Sequence, residues 1–211
     1  ARSTFLDMFG DPVTNPKGWD TKAIGQISDV TKLAGFEYTQ YVKYQEDGEI
    51  IALRALNVKK GKLNLNDVKF ISQKTSNKLT RSKLHKGDVV MTYIGVNIGE
   101  VAIIDKDNTY HLAPNIAKIT PYSEVNSTYL MWCLSFHKKQ FDKHTTNTAK
   151  QALNMGKIRN IIIGIPPLAL QNKFQKEIVK IDQLKLKNSK SIRESNNLFN
   201  SLLQRAFKGE L

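Results

Sequence analysis

The sequence predicts an α+β protein, in which a strand-rich globular domain is followed by a long C-terminal helix that can form a coiled coil. Two observations carry this prediction. Short apolar segments bounded by glycine, asparagine and proline recur between residues 19 and 165, as is typical of strands. From residue 166 to residue 211 the apolar residues recur at helical spacing instead, with no further proline inside the pattern and with Gly209 as the only later glycine.

Residues 1–18 are expected to form a short helix and a connector. Ser3 is a candidate helix cap, residues 5–9 place apolar side chains on one side, and Gly10 ends the pattern. A helix this short needs a surface to dock on. The dipeptides Asp11-Pro12, Asn15-Pro16 and Lys17-Gly18 then predict turns in the connector that leads to Trp19.

Residues 19–165 are expected to form a domain built mainly of short strands. The predicted strands cover residues 50–55, 89–94, 101–104 and 116–119. Gly95 and Gly99 bracket a turn between the second and the third of these strands. The two strands are therefore expected to pair as a hairpin.

One longer helix and one polar loop complete the predicted domain. Asn126 and Ser127 offer a cap for a helix over residues 128–143. Residues 144–156 are rich in amides and hydroxyls, and a core would leave these hydrogen-bonding groups unsatisfied. We expect that loop at the surface.

Residues 166–211 are predicted to form one long amphipathic helix. Pro166 and Pro167 suit its first turn, and an apolar seam at heptad spacing, with polar interruptions, is typical of a helix that pairs with another. The residues expected on the pairing face are Phe174, Ile178, Ile181, Asn188, Ile192, Phe199 and Leu202. About 40 helical residues would extend about 60 Å, which is longer than a compact domain of this size. The alternative is an ordinary long helix that lies on its own core.

The charge of the chain points to a polyanionic partner. There are 32 Lys and Arg against 19 Asp and Glu, which gives a net charge of +13. Nucleic acid is the commonest partner of so basic a protein. From residue 168 onward nine basic residues stand against four acidic ones, so both the domain and the helix carry an excess of positive charge.

The cysteine count and the hydropathy pattern favour a cytoplasmic protein. Cys133 is the single cysteine, and no run of 18 or more apolar residues occurs. Disulfides, secretion and a membrane span are therefore not expected. The chain begins with Ala1 rather than methionine, and we expect it to be a processed chain or a piece of a longer one.

The sequence contains no clear motif for metal binding, nucleotide binding or catalysis. The four histidines, His85, His111, His137 and His144, are scattered, which predicts no metal site. The segment Gly95-x-x-x-Gly99 lacks the lysine and hydroxyl of a phosphate-binding loop. Neither a nucleophile on a sharp turn nor the carboxylate set of a nuclease is recognisable. We expect no catalytic residue, no metal and no cofactor.

The candidate DNA contacts are chosen by the chemistry of phosphate contacts and of base-edge contacts. Phosphates need Lys or Arg, and the candidates are Lys32, Lys43, Lys59, Lys60, Lys62, Lys143 and Lys150. Base edges need forked donors, amides or similar groups, and the candidates are Arg54, Asn57, Asn97, His144, Asn147 and Gln151. Tyr38 and Tyr41 would lie against sugar or a thymine methyl. The alternatives are solvated surface charge for each lysine, half-buried packing in a strand for the tyrosines, and a connecting role for the loop 143–151.

Three segments carry a resemblance to a known family. The first is the entry at residues 8–19, Met-Phe-Gly-Asp-Pro to Gly-Trp. The second is Leu-His-Lys-Gly-Asp-Val-Val at residues 84–90, followed by Gly95 and Gly99. The third is Ile-Pro-Pro-Leu-Ala-Leu-Gln at residues 165–171, which continues through the long helix to the final Ala-Phe-Lys-Gly-Glu-Leu. In order and spacing they resemble the specificity subunit of type I restriction-modification enzymes.

The resemblance implies a division of the chain and a function. Residues 19–165 would be a target recognition domain that reads a few base pairs of double-stranded DNA, preceded by the short helix and connector at 1–18. Residues 166–211 would be a spacer helix that pairs antiparallel with another. Methylation and cleavage would belong to separate modification and restriction subunits, so that this chain would not be an enzyme.

The resemblance also leaves one question open. Complete subunits of this family carry two domain-plus-helix units, and this chain has one. It is either a half subunit that dimerises or the second half of a longer subunit. A dimer with twofold symmetry would recognise an interrupted palindrome.

Two other classes of function remain as alternatives. One is a freestanding dimeric DNA-binding regulator that uses the helix only to dimerise. The other is a protein-interaction module without DNA binding, in which the helix is the recognised surface and the basic charge is incidental. Such a module predicts no salt-sensitive DNA binding.

Overall fold

The computed structural model describes residues 1–142 and 153–209. Its α-helices are α1 (Arg2–Phe9), α2 (Ile24–Ile27), α3 (Gly35–Tyr41), α4 (Gln73–Lys78), α5 (Ser127–Asp142), α6 (Met155–Arg159) and α7 (Leu168–Phe207). Its strands are β1 (Thr21–Ala23), β2 (Ser28–Lys32), β3 (Ile50–Leu53), β4 (Val58–Lys59), β5 (Lys62–Leu63), β6 (Lys69–Ile71), β7 (Lys83–Leu84), β8 (Val89–Thr92), β9 (Val101–Ile103), β10 (Tyr110–Leu112), β11 (Ile116–Pro121) and β12 (Ile162–Gly164). The predicted α+β class is confirmed.

Two four-stranded sheets form the body of the domain. One has the order β2-β11-β8-β9 and is antiparallel throughout, and the other has the order β6-β3-β10-β7, in which β3 and β10 are parallel. Two-stranded ribbons join β1 to β12 and β4 to β5. The predicted hairpin is confirmed, since β8 and β9 pair with Met91 opposite Val101 and Val89 opposite Ile103.

The first sheet has a hydrophobic core on each face. Along β8, Val89 and Met91 belong to one buried cluster and Val90 to the other. This alternation is what the two-residue period of a strand produces when both faces are covered. The larger cluster also contains Leu130 and Leu134 of α5 and Phe174 of α7, so helices cover that face.

Helix α5 begins where the sequence predicts. The side-chain Oδ1 of Asn126 accepts hydrogen bonds from the backbone N–H groups of Thr128 and Tyr129, at 2.8 and 3.4 Å. These bonds satisfy donors that have no partner inside the helix. Leu130 and Leu134 are fully buried, as expected for the apolar face of this helix.

Two local predictions and one alternative were wrong. Helix α1 starts at Arg2, so Ser3 lies inside it and does not cap it. Helix α7 starts at Leu168 with Pro167 as its N-cap residue, and both prolines therefore precede the first turn. Tyr38 belongs to helix α3 rather than to a strand, because Glu37 accepts the backbone N–H of Ala34 at 3.1 Å and caps that helix.

Helix α7 is 40 residues long, and most of it leaves the domain. Its buried residues are Gln171 and Phe174, and every residue from 183 to 209 is exposed. The alternative of a helix lying along its own core is therefore wrong for most of the length. Residues 179–207 are called the arm below.

Candidate nucleic-acid interface

Three of the predicted contact residues line one open cavity. Tyr38 from α3, Arg54 after β3 and Asn97 from the β8–β9 turn meet at a cavity of about 420 Å³, called the Arg54 cavity below. Its other lining residues are Tyr44, Ala55, Leu56, Ile94, Gly95, Val96, Pro114 and Asn115. A guanidinium, amides and two phenols at one mouth supply the donors and acceptors that base edges require.

Arg54 is fixed at this cavity by one neighbour. Its Nη2 donates to the backbone oxygen of Asp67 at 3.0 Å and to the Oδ1 of Asp67 at 2.5 Å. The Nε of Arg54 is buried and has no hydrogen-bond partner among the residues that the structure describes. Arg54 is thus oriented by Asp67, and 22% of its side chain is exposed.

Asn57 does not belong to the interface, and its prediction as a base contact was wrong. Its side chain is fully buried. Its Oδ1 accepts from the backbone N–H of Arg54 at 2.9 Å, and its Nδ2 donates to the carbonyls of Asn64 and Asp67 at 2.9 and 2.7 Å. Asn57 therefore holds together the two segments that position the Arg54–Asp67 pair.

The two phenols of the cavity form an aromatic pair. The ring centroids of Tyr38 and Tyr44 are 6.0 Å apart, with 51° between the planes. Burial, together with the neighbouring Tyr38, raises the pKa of Tyr44 to about 12. Its hydroxyl therefore stays protonated at neutral pH and can donate or accept a hydrogen bond.

Tyr44, and not the predicted Tyr41, lines the Arg54 cavity. Tyr41 packs against the second core cluster with the Lys78 ammonium 3.8 Å from its ring centroid, and it does not line the cavity. Tyr44 was missed, although it lies three residues later in the same polar segment. Choosing between them from the sequence would have required knowing that α3 ends at Tyr41.

The turn that carries Asn97 is held against α5. Gly99 has a φ of +79°, and a Cβ there would lie 2.9 Å from Phe141 and 3.0 Å from Lys138. The backbone N–H of Gly99 donates to the carbonyl of Thr92 at 2.9 Å and closes the turn. Val96 at the tip is fully exposed and was not predicted as a contact, because a lone apolar loop residue gives no sequence signal.

Five predicted contacts, Lys143, His144, Asn147, Lys150 and Gln151, lie outside the described residues. The described residues on either side of them are positioned beside the same turn. Phe141 lies under Gly99, and the backbone N–H of Leu153 donates to the carbonyl of Tyr93 at 2.9 Å. The Lys32 ammonium is also close by, 5.7 Å from the centroid of the Tyr93 ring.

The remaining predicted lysines fall into two groups. Lys43 is exposed and precedes Tyr44 in the sequence, but it does not line the Arg54 cavity. Lys59, Lys60 and Lys62 are exposed on the β4–β5 ribbon. Lys60 and Lys62 line a different cleft, of about 380 Å³, together with residues of α5 and α7. We call this second space the arm-base cleft.

The structure removes Phe174 from the predicted pairing face. Phe174 is fully buried, and its ring lies 5.4 Å from those of Phe5 and Phe9 and 6.0 Å from that of Trp132, between centroids. It was placed on the pairing face because heptad spacing does not show where a helix leaves its domain. The other predicted residues, Ile178, Ile181, Asn188, Ile192, Phe199 and Leu202, are half-buried or exposed.

The described residues hold neither a metal-binding cluster nor a membrane-spanning helix. Within residues 1–142 and 153–209, no three His, Cys, Asp or Glu side chains come together as a metal site would require. No helix in that part of the chain has the length and apolarity needed to cross a membrane.

Comparison with known proteins gives one consistent family. The sequence profile of the type I restriction modification DNA specificity domain matches residues 16–197. The chain is 25% identical over 203 residues to the type I restriction enzyme EcoBI specificity subunit of Escherichia coli, covering 93% of this chain and 42% of that protein. It is 24% identical over 198 residues to the MjaVIII specificity subunit of Methanocaldococcus jannaschii, covering 89% of this chain and 46% of that protein.

A solved structure shares the fold. The crystal structure of the HsdS subunit from Thermoanaerobacter tengcongensis matches with a TM-score of 0.61 at 17% identity, and the match covers all of this chain and 50% of that one. The chain thus spans about half the length of the proteins that it matches.

Proposed function

The chain belongs to the type I restriction-modification DNA specificity family, and from that premise we propose that it recognises one half of a bipartite site in double-stranded DNA for such a complex. The observation that supports this most is the Arg54 cavity, where Tyr38, Arg54 and Asn97 meet. These three residues are far apart in the sequence, and the fold brings their hydrogen-bonding side chains together in an arrangement suited to contact base edges.

Within this proposal Arg54 is the principal base contact. Its ion pair with Asp67 fixes the direction of the guanidinium, and 22% of the Arg54 side chain is exposed. Arginine contacts to guanine are the commonest specific contacts in the major groove. Asn97 and the phenols of Tyr38 and Tyr44 would contact neighbouring groups, and Val96 at the tip would supply an apolar contact.

The candidate lysines supply the phosphate contacts. Lys43, which precedes Tyr44 in the sequence, and Lys32, near the Tyr93 ring, are exposed, and Lys143, His144, Asn147, Lys150 and Gln151 remain candidate contacts. Phosphate contacts fix the register of a protein on the duplex, and base contacts select the sequence. The net charge of +13 supports this arrangement.

The arm would pair with the equivalent helix of a second unit. Ile192, Phe199 and Leu202 are 62%, 61% and 39% exposed and lie on one side of the helix. A pair of arms would hold two domains at a fixed separation, and two identical halves would read an interrupted palindrome. Methylation and cleavage would be carried out by partner modification and restriction subunits.

Reconstitution with a purified modification subunit of this family tests the proposal. We expect a stable complex that methylates double-stranded DNA at a defined site. Arg54→Ala should keep the complex and lose the preference at one base pair of the site, whereas Arg81→Ala, an exposed arginine that does not line the cavity, should change neither. DNA binding without complex formation would indicate a freestanding regulator. Absence of salt-sensitive DNA binding would indicate a protein-interaction module.

A further inference from the structure

Val96 is the most exposed of the large apolar side chains that the structure describes, at 100%. Single exposed apolar residues are common on protein surfaces and by themselves need no explanation. Val96 differs from them in its position. It lines the Arg54 cavity and immediately precedes Asn97, so it lies beside the groups that are proposed to contact bases.

The turn that carries Val96 is held in place from inside and from outside. Within the turn, the backbone N–H of Glu100 donates to the carbonyl of Asn97 at 3.1 Å. The Glu100 carboxylate accepts the backbone N–H of Lys60 at 2.5 Å and also pairs with Lys138 of α5. The exposure of Val96 is therefore set by a turn that is tied to two other segments of the domain.

A turn held in this way lowers the cost of binding through its tip. Gly95, the residue before Val96, has a φ of +110°, a conformation that residues with a side chain rarely adopt. Valine has a single side-chain torsion, and branching at its Cβ restricts that torsion further. Little conformational entropy is therefore lost when a partner covers the Val96 side chain.

The chemistry of the valine side chain selects among the base edges. Its two methyl groups neither donate nor accept a hydrogen bond. In the major groove thymine presents its 5-methyl group, whereas guanine, adenine and cytosine present hydrogen-bonding atoms. Covering such an atom without supplying a partner costs free energy. An apolar side chain among the base contacts therefore favours thymine.

The size of the cavity limits how far this thymine lies from the base that Arg54 contacts. A cavity of about 420 Å³ is about 9 Å across when treated as a sphere, which corresponds to about two or three base pairs at about 3.4 Å each. Because Val96, Arg54 and Asn97 all line the cavity, one short stretch of the groove would reach all three.

We propose that Val96 selects a thymine by packing against its 5-methyl group in the major groove, within about three base pairs of the base that Arg54 contacts. This inference rests on the recognition of double-stranded DNA through the Arg54 cavity that is proposed above. It adds the identity of one base of the site and makes Val96 a specificity-determining residue.

Uracil substitution tests the inference, because uracil differs from thymine only in lacking the 5-methyl group. The duplex used is the sequence that the parent chain enriches from a randomised library. Replacing one particular thymine of that duplex by uracil should weaken binding of the parent chain about fourfold, the factor that one buried methyl group contributes. Uracil at the other thymines should leave the Kd unchanged.

Variants of Val96 show whether this side chain is the partner of the methyl group. Val96→Ala removes both γ-methyl groups and should bind the thymine and uracil duplexes with equal affinity. Val96→Thr keeps one methyl group and should retain part of the uracil penalty. Val13→Ala is the matched control, because Val13 is 37% exposed and does not line the cavity, and it should keep the whole penalty. The thymine–uracil change and the valine change together form a double-mutant cycle.

Three outcomes would overturn the inference. The first is a uracil penalty that persists unchanged in Val96→Ala, and the second is the absence of a penalty at every thymine of the enriched sequence. The third is an equal loss of affinity for both duplexes in Val96→Ala together with a loss of DNA bending, which would show a wedge between base pairs. Each of these leaves recognition through the Arg54 cavity in place. Failure of the parent chain to enrich any sequence would overturn both proposals.

Discussion

The ring of Phe5 meets the ring of Phe174 edge to face, with centroids 5.4 Å apart and 80° between the planes. This contact joins the first helix of the chain to the last. Tyr129 and Phe136 of α5 stack on the same Phe5 ring, at 5.8 and 5.1 Å. The base of α7 is thereby packed into the core of the domain, and the direction of the arm is fixed relative to the Arg54 cavity.

Phe174→Ala should therefore destabilise the domain itself. Phe174 is fully buried, and truncating a buried phenylalanine costs about 3–5 kcal/mol. Phe199→Ala is the matched control, because Phe199 is 61% exposed on the same helix. We expect urea denaturation to show a large loss of unfolding free energy for the first variant only, while the second weakens self-association. Equal losses of unfolding free energy in the two variants would contradict the division of α7 into a buried base and an exposed arm.

Asp67→Ala should reduce sequence discrimination with little effect on stability. The Asp67 side chain is 66% exposed, and such ion pairs contribute about 0–1 kcal/mol to folding. Without the Asp67 carboxylate the Arg54 guanidinium keeps only its hydrogen bond to the backbone oxygen of residue 67 and is less firmly oriented, so specific binding should fall while non-specific binding is kept. The ratio of the two affinities, measured by fluorescence anisotropy, should drop about tenfold, in line with about 1–3 kcal/mol for a good bidentate base contact.

Glu46→Ala is the control for the change in net charge. Glu46 pairs with Lys69, and its side chain is 86% exposed. This variant should raise the affinity for all sequences slightly and leave the ratio unchanged. An equal loss of discrimination in both variants would mean that Asp67 acts only through its charge.

The sequence was sufficient to predict features that depend on local periodicity. The hairpin of β8 and β9, the cap of α5 at Asn126 and the long α7 all follow from the spacing of apolar residues and from turn and cap residues. Each of these signals lies within a few residues of the element that it specifies. The fold class follows from their order along the chain.

The site could be predicted only in part, because tertiary contacts decide which polar residues face solvent. Arg54 and Asn57 are three residues apart and equally suited to read a base, yet the second is used to brace the first. Heptad spacing likewise continues through Phe174 into the arm and does not mark where the domain ends. The clustering of Tyr38, Arg54 and Asn97 could not be predicted from segments so far apart in sequence.

The candidate phosphate contacts Lys32 and Lys43 should contribute to the salt dependence of DNA binding. Each phosphate contact contributes about −0.9 to the slope of log K against log salt concentration. Lys32→Gln and Lys43→Gln should each make the slope shallower by about one, and should weaken binding to all sequences alike. Lys106→Gln, an exposed lysine that is not among the candidate contacts, should leave the slope unchanged. A slope equally altered by Lys106→Gln would show that only the total charge matters.

Stability should fall at alkaline pH in two stages. Burial raises the pKa of the Cys133 thiol from 9.0 to about 12, so the folded chain keeps a proton that the unfolded chain releases above pH 9. The thiol's contribution is therefore complete below pH 9 and is lost as the pH rises toward 12. Burial also raises the pKa of Tyr44 and Tyr110 from 10.0 to about 12, which adds a loss that begins near pH 10.

Cys133→Ala separates the two stages. The denaturation midpoint of this variant should stay constant until about pH 10, whereas that of the parent chain should begin to fall near pH 9. Urea titrations at intervals of half a pH unit would resolve the difference. Identical onsets for the two proteins would mean that the thiol titrates alike in the folded and unfolded chains.

Selection of double-stranded DNA from a randomised library tests the central claim most directly. The parent chain should enrich a short defined sequence, and Arg54→Ala should lose the preference at one base pair while keeping salt-sensitive binding. Arg81→Ala should enrich the same sequence as the parent. Enrichment of the same sequence by Arg54→Ala, or of no sequence by the parent chain, would contradict recognition through the Arg54 cavity.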